Sequence, residues 1–236
     1  MNAQETRHPV HVVTVAGPPS SGKTSVILRA IQTRENQGAS CGVVKFDCLN
    51  SLDTARYQEQ GIPVLAGVAG NICPDHYFVT NVESCLDWAV QSHLDLLVIE
   101  SAGLCNRCSP HLKESLAVCV LDCLSGIDTP LKVGPMLKLA DMVILTKGDM
   151  ISQAEREVYR YRVRKVNPKA EVRFVNGISG QGCHRLFESW MDSEPVLTLQ
   201  GARLRFTMPT AVCSYCLGET RVGKERQIGI VKTLGT

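Results

Sequence analysis

The sequence predicts an α/β fold, a P-loop NTPase with a mostly parallel sheet flanked by helices and a small C-terminal extension containing Cys213-x-x-Cys216. Two observations carry that expectation. Short apolar runs alternate with helical patterns along most of the chain, which is the sequence form of βαβ units. In addition, Gly17-Pro18-Pro19-Ser20-Ser21-Gly22-Lys23-Thr24 follows the apolar run 11–16 and precedes Ser25-Val26-Ile27-Leu28. Strand, phosphate loop and helix start therefore arrive in the order that a triphosphate site requires.

Taken in order, the apolar runs place strands at 11–16, 41–46, 63–68, 94–100, 116–122, 141–146 and 171–175. Helical patterns fall at 22–36, 51–60, 81–92, 133–139, 152–166 and 183–192. Ser152 and Glu155 have the spacing of a capping box at the start of the fifth. After Trp190 the pattern changes to short alternating runs broken by Gly and Pro, so residues 1–194 read as the nucleotide domain and 195–236 as a small β extension or a partly ordered tail.

A chain of 236 residues, 44% hydrophobic and 20% charged, can bury a sizeable core. The net charge of +2 is dispersed, and the basic run Arg160, Arg162, Arg164, Lys165 reads as a solvated helix face, so nucleic acid is not implied. The start has no apolar signal-like region and no stretch reaches 18 uninterrupted apolar residues, so a cytoplasmic protein without membrane association is expected. Eleven cysteines, an odd number with no secretory signal, argue against a disulfide framework and for metal or redox chemistry. Cys41, Cys119 and Cys123 lie in apolar runs and should pack as small hydrophobes. Those to weigh for chemistry are Cys48, Cys73, Cys105, Cys108, Cys213 and Cys216.

The phosphate loop supplies the first candidate site. Gly17 and Gly22 let the backbone curl, so that the N–H groups around Ser20, Ser21, Gly22 and Ser25 face a phosphate chain. Lys23 would reach the β/γ-phosphates and the Thr24 hydroxyl would ligate Mg²⁺. Glu100 ends a buried apolar run, where a carboxylate orients Mg²⁺ or its water, and Gly103 follows three residues later, where an N–H can sense the γ-phosphate. Thr146-Lys147-Gly148-Asp149 matches a guanine-reading pattern: the Asp149 carboxylate could accept from both guanine N1–H and N2–H₂ while Lys147 covers the ring. Adenine presents a lone pair where guanine presents a donor, so GTP is the expected nucleotide. Gly177 and Ile178 lie where a second loop would touch the base.

Over residues 10 to 190 these segments resemble the SIMIBI-class GTPases of the HypB/UreG nickel-chaperone family. The resemblance rests on the phosphate loop, Phe46-Asp47-Cys48, Asp53-Thr54-Ala55-Arg56, Glu100-Ser101-Ala102-Gly103, Pro130-Leu131-Lys132 and Thr146-Lys147-Gly148-Asp149. The loop lacks the early second lysine of MinD-like ATPases. The resemblance implies that Asp47 belongs to the first switch near Mg²⁺ and the γ-phosphate, that Glu100 is the Walker-B acid, and that a homodimer forms with nucleotide and metal bound. It also implies a client metalloenzyme or an accessory maturation protein as partner. Lys23, Asp47 and Glu100 are the expected catalytic residues.

Ile72-Cys73-Pro74-Asp75-His76 lies where those relatives carry a Cys-Pro-His or Cys-His metal motif, here with Asp75 inserted. Thiolate and imidazole suit Ni²⁺, Zn²⁺ or Co²⁺ over Mg²⁺. Cys105-Asn106-Arg107-Cys108 follows Gly103 directly, so a change at the γ-phosphate would move these thiols and alter the spacing of metal ligands. A Cys-x-x-Cys also holds an Fe–S cluster, and Cys213 with Cys216 would form a second site or join the first. The expected function is a GTP-hydrolysing metallochaperone, most readily for nickel. Its rivals are a GTPase that gates cobalamin or Fe–S cofactor loading, a small-molecule P-loop kinase, and a zinc-stapled interaction module.

Overall fold

A computed structural model describes residues 7–34, 38–49, 52–104, 108–206 and 218–234. Seven strands are parallel throughout: β1 (Val10–Ala16), β2 (Cys41–Asp47), β3 (Val64–Val68), β4 (Leu96–Glu100), β5 (Leu116–Asp122), β6 (Met142–Thr146) and β7 (Glu171–Phe174). Their order in the sheet is β3-β2-β4-β1-β5-β6-β7. β1 thus sits centrally between the acid-bearing β4 and β5, and its C-terminal end delivers the phosphate loop.

The strand runs are apolar at successive positions because both faces of the sheet are covered. Val13, Val15, Val43, Val98, Val118 and Val120 bury against α1 (Lys23–Gln32) and α7 (Leu186–Met191). On the opposite face Val10, Val12, Val44, Phe46, Leu97 and Ile99 meet α3 (Pro74–Gln91). Further along that face Cys119, Leu121, Val143 and Leu145 meet the pair of short helices α4 (Thr129–Lys132) and α5 (Pro135–Lys138) and the longer α6 (Gln153–Val166). α2 (Asp53–Glu59) buries only Tyr57. At the start of α6, Ser152 Oγ accepts from the Glu155 N–H while the Glu155 carboxylate accepts from the Ser152 N–H, which is the expected capping box.

Three helix boundaries depart from the sequence pattern. The helix expected at 81–92 begins at Pro74, with Pro74 at its first position and Cys73 in extended conformation as the N-cap. Residues 74–82 are buried on every side, so no amphipathic period marks that first half. The helix expected at 133–139 is shorter, opening at Pro135 after Gly134 (φ 66°), and a separate short helix containing Pro130 precedes it at Thr129–Lys132. The first helix, expected to reach 36, ends at Gln32.

The described parts of the C-terminal extension pack on the sheet. β8 (Pro195–Val196) pairs antiparallel with Val10 and His11, and Leu199, Ala202, Leu204 and Val222 enter the same core as Phe78 and Leu86 of α3. Arg205 fixes this arrangement: its guanidinium spans both Asp141 oxygens at 2.7 Å and donates to the carbonyls of Leu112, Ser115 and Leu139. The tail returns along α3, where Gly223 N–H donates to Val79 and Asn81 bridges Lys232 O and the Leu234 N–H. Among the described residues no helix is long and apolar enough to cross a membrane.

Candidate functional site

The loop between β1 and α1 is shaped by close backbone approach. A Cβ on Gly17 would lie 2.1 Å from the Val120 carbonyl oxygen, and one on Gly103 would lie 1.8 Å from the Gly17 oxygen. Gly22, the N-cap of α1, has φ 92°, and Ser20 has φ 60°. Only glycine permits these contacts and torsions at Gly17, Gly22 and Gly103 without displacement. Lys23 folds back to donate to the carbonyls of Gly17 and Pro18 at 2.9 and 3.1 Å. Burial lowers its pKa, a shift that Glu100 opposes and Lys45 reinforces. Ser21 Oγ is buried without a hydrogen-bond partner among the described residues. A nest of this kind, with a lysine and an unsatisfied hydroxyl at a helix N-terminus, suits a polyphosphate.

Glu100, at the end of β4, is 1% exposed and accepts from three side chains. Thr24 Oγ1 donates at 2.7 Å, the Tyr57 hydroxyl at 2.9 Å and Lys45 Nζ at 2.9 Å. Lys45 also pairs with Asp53 at 3.1 Å, and Asp53 pairs with Arg56, which donates to Ser25 Oγ. All of these residues except Tyr57 line one cleft of about 470 Å³ with Pro19, Ser20, Asp47, Leu104 and Lys147. The Asp47 carboxylate accepts from the Cys48 N–H at 2.8 Å. The hydroxyl of Thr24 with the carboxylates of Asp53 and Glu100 is a hard oxygen donor set that fits Mg²⁺. A cationic group, the Lys45 ammonium, already lies among them.

Lys45, Asp53 and Tyr57 were not legible as site residues. Lys45 had a usable signal, because it precedes Asp47 by two on a strand and so projects to the same face. Tyr57 had none, since its reach to Glu100 depends on how α2 packs.

The base-reading segment approaches from β6. Thr146 Oγ1 donates to Ser21 O at 2.7 Å and to Leu121 O at 3.2 Å, so it ties the strand to the phosphate loop. Lys147 has φ 55° and lies over the loop, with Nζ 3.2 Å from Ser20 O and 2.5 Å from Asp122. Asp149 is exposed and lines an adjoining cleft with Arg156, Phe174, Asn176 and Gln181. Gly177 packs against Ser25, and Ile178 O accepts from Arg29, so these two lie over the start of α1. The neighbouring Asn176 and Gln181 line the Asp149 cleft in their stead.

The thiols are less gathered. Cys73 is exposed at the N-cap of α3, whereas His76 is buried in its first turn. Burial lowers the His76 pKa, and Gln227 partly opposes that shift. Asp75, between them, is pushed up to about 6 by burial. Cys108 is 5% exposed and packs in the α3 core with Leu112. Cys105, Cys213 and Cys216 lie outside the described residues. Among the described residues no three His, Cys, Asp or Glu side chains form a group that could hold a metal ion. Cys41, Cys119 and Cys123 are buried with thiols pushed up to about 12 by burial, as inert core cysteines should be.

Fold and cleft together define a P-loop nucleotide-binding protein of the SIMIBI class. The chain belongs to the CobW/HypB/UreG family, whose nucleotide-binding domain matches residues 11–174. An uncharacterized protein of Methanocaldococcus jannaschii is 48% identical over 223 residues, covering 94% of this chain and 95% of that protein. The hydrogenase maturation factor HypB of Azotobacter vinelandii is 30% identical over 200 residues, 82% of this chain but only 62% of that protein. The crystal structure of Helicobacter pylori HypB in complex with nickel matches with a TM-score of 0.63 at 19% identity, covering 78% of this chain and 86% of that one, a likeness of fold.

Proposed function

We propose that the protein is a GTP-hydrolysing metallochaperone that couples nucleotide state to delivery of a transition metal, nickel first, during maturation of a metalloenzyme. The observation that carries this reading is the direct contact between the phosphate loop and the segment leading to Cys108: Thr24 on Glu100, and Gly103 against Gly17. Lys23 and the loop amides would hold the β/γ-phosphates, and Thr24, Glu100 and the nearby acids Asp47 and Asp53 would hold Mg²⁺, which neutralises phosphate charge when bound. Asp47 is the candidate for orienting water, and Asp149 for selecting guanine.

Any shift of Gly103 on loss of the γ-phosphate moves the chain that continues to Cys105 and Cys108. Transfer of that motion to Cys73 and His76 would change the affinity for the metal cargo. A homodimer would bring two such thiol sets together, and the nickel complex of the structurally similar Helicobacter pylori HypB favours nickel.

The test is calorimetric titration of Ni²⁺ and Zn²⁺ with and without a non-hydrolysable GTP analogue. Affinities that differ between the two states support the coupling, and identical affinity and stoichiometry for both metals overturn it. Specificity is tested separately by competition: Asp149→Asn should lower the preference for GTP over ATP by about 10- to 100-fold, the worth of a charge-assisted hydrogen bond. An unchanged preference would remove Asp149 from that role.

A further inference from the structure

Lys45 occupies an unusual position. It lies on β2, is 5% exposed, and places its ammonium 2.9 Å from Glu100 Oε1 and 3.1 Å from Asp53 Oδ2. The same Glu100 oxygen accepts from Thr24 Oγ1. The ammonium therefore touches two of the three oxygen-bearing side chains that fit Mg²⁺, and its nearest oxygen is shared with the third.

Charge balance explains why a cation is needed there. Glu100 is fully buried, and its other partners, Thr24 and Tyr57, are neutral hydroxyls. An ionised carboxylate in such a place is costly without a counter-charge. A second cation on the same oxygens is repelled strongly by the first in a partly dehydrated cleft. Entry of a divalent ion thus favours departure of the ammonium, and the four-carbon stem of lysine is flexible enough to allow it.

We propose that Lys45 is a built-in counter-ion that holds the Mg²⁺ ligands Thr24, Asp53 and Glu100 together in the nucleotide-free protein and is displaced when Mg²⁺ enters with the nucleotide. The proposal rests on the nucleotide reading above and deepens it, turning metal entry into an exchange. Asp53 opens α2 and also pairs with Arg56, whose guanidinium reaches Ser25 beside the phosphate loop. Release of Lys45 therefore alters the anchoring of α2 on the loop, which makes the exchange a second signal of occupancy beside Gly103.

If the lysine-closed form outweighs the open form by a ratio r, the Mg²⁺ concentration for half-saturation is raised by a factor of 1 + r. Binding of a fluorescent GDP analogue is therefore titrated with Mg²⁺ in the intact chain for wild type, Lys45→Met, Lys45→Gln and Lys45→Arg, with no turnover measured. Loss of the charge should lower the half-saturating Mg²⁺ concentration by about fivefold or more, a shift in the usual range of coupling effects. Lys45→Arg should leave it near the wild-type value. The glutamine variant provides the charge-free measurement if the methionine variant does not fold. A half-saturation that is unchanged or raised in the folded charge-free variant overturns the exchange. Failure of wild type to bind the guanine analogue at any Mg²⁺ concentration overturns the nucleotide reading instead.

Discussion

The phosphate side and the thiol side of this molecule are built by different means. On the phosphate side, one contiguous loop crosses the end of β1, and its geometry is enforced by backbone: Gly17 against Val120, Gly103 against Gly17, Thr146 onto Ser21. The polar groups are then linked through Glu100 to Lys45, Tyr57 and Thr24. On the thiol side, Cys73 and His76 sit on the first turn of α3 and Cys108 lies in a separate core-facing segment, with no shared metal group among the described residues. A preorganised anion site is ready for its ligand, whereas ligands on separate elements must be drawn together by the ion or by a change elsewhere. That contrast is what the proposed nucleotide-gated metal site would require.

The comparison can be broken most forcefully at Lys23. Lys23→Met removes the charged donor from the nest and should weaken nucleotide binding by about 100-fold or more, since hydrogen bonds to charged groups are worth about 1.5–3 kcal/mol each. Zn²⁺ uptake by the nucleotide-free protein should stay at the wild-type level. Equilibrium binding of each ligand checks both halves, and a parallel loss of Zn²⁺ would show that the two sides are one site.

A second experiment sharpens the comparison at His111, on the segment that continues from Cys108. Its ring is fully buried between Thr14 Oγ1 at 2.9 Å and Met136 O at 3.1 Å. Burial and then Arg205 lower its pKa to about 4, against weaker opposition from the Met136 carbonyl and Asp141. The unfolded chain binds a proton near pH 6.5 that the folded chain refuses until about pH 4. Stability from this group is therefore fully present above pH 6.5 and lost as pH falls toward 4, on the order of 3 kcal/mol in all. His111→Gln should flatten that portion of the unfolding free energy against pH. An equal slope in wild type and variant would show that this segment is looser than its burial indicates.

The smallest effect is expected at Cys73. Cys73→Ser should leave nucleotide affinity within about twofold, because an exposed substitution away from the phosphate contacts is usually worth about 0.5 kcal/mol or less. The same variant should bind less Ni²⁺ or Zn²⁺ per chain. Elemental analysis and nucleotide titration on one preparation give both numbers, and a large nucleotide defect would place Cys73 on the phosphate side.

All seven parallel strands and the phosphate loop were legible in the sequence, chiefly because β1, β2, β4, β5 and β6 are buried along nearly their whole length and read as apolar runs, whereas the edge strands β3 and β7 are half-exposed. The start of α3 was not, for a related reason: Pro74 to Val82 are buried on every side, so the helix has no polar face to reveal its period. Cys73-Pro74-Asp75-His76 consequently fell outside the helix expected at 81–92, when it is the N-cap and first turn of α3. Of the β extension expected at 195–236, the described residues contain one two-residue strand, Pro195–Val196, and its main anchor, the guanidinium of Arg205 on Asp141 and three carbonyls, comes from pairing across more than sixty residues.

By itself the sequence determined the phosphate loop, the acid at the end of β4 and the order of the sheet-forming runs, since these depend on residue types at short, fixed spacings. Only the tertiary structure decided that Lys45 stands among Thr24, Asp53 and Glu100, that Tyr57 reaches the same carboxylate, and that His76 is buried. Those relations join side chains distant in the chain through the packing of α2, α3 and the extension on the sheet. No local period or spacing encodes them, because their distances are set by which faces the core brings together.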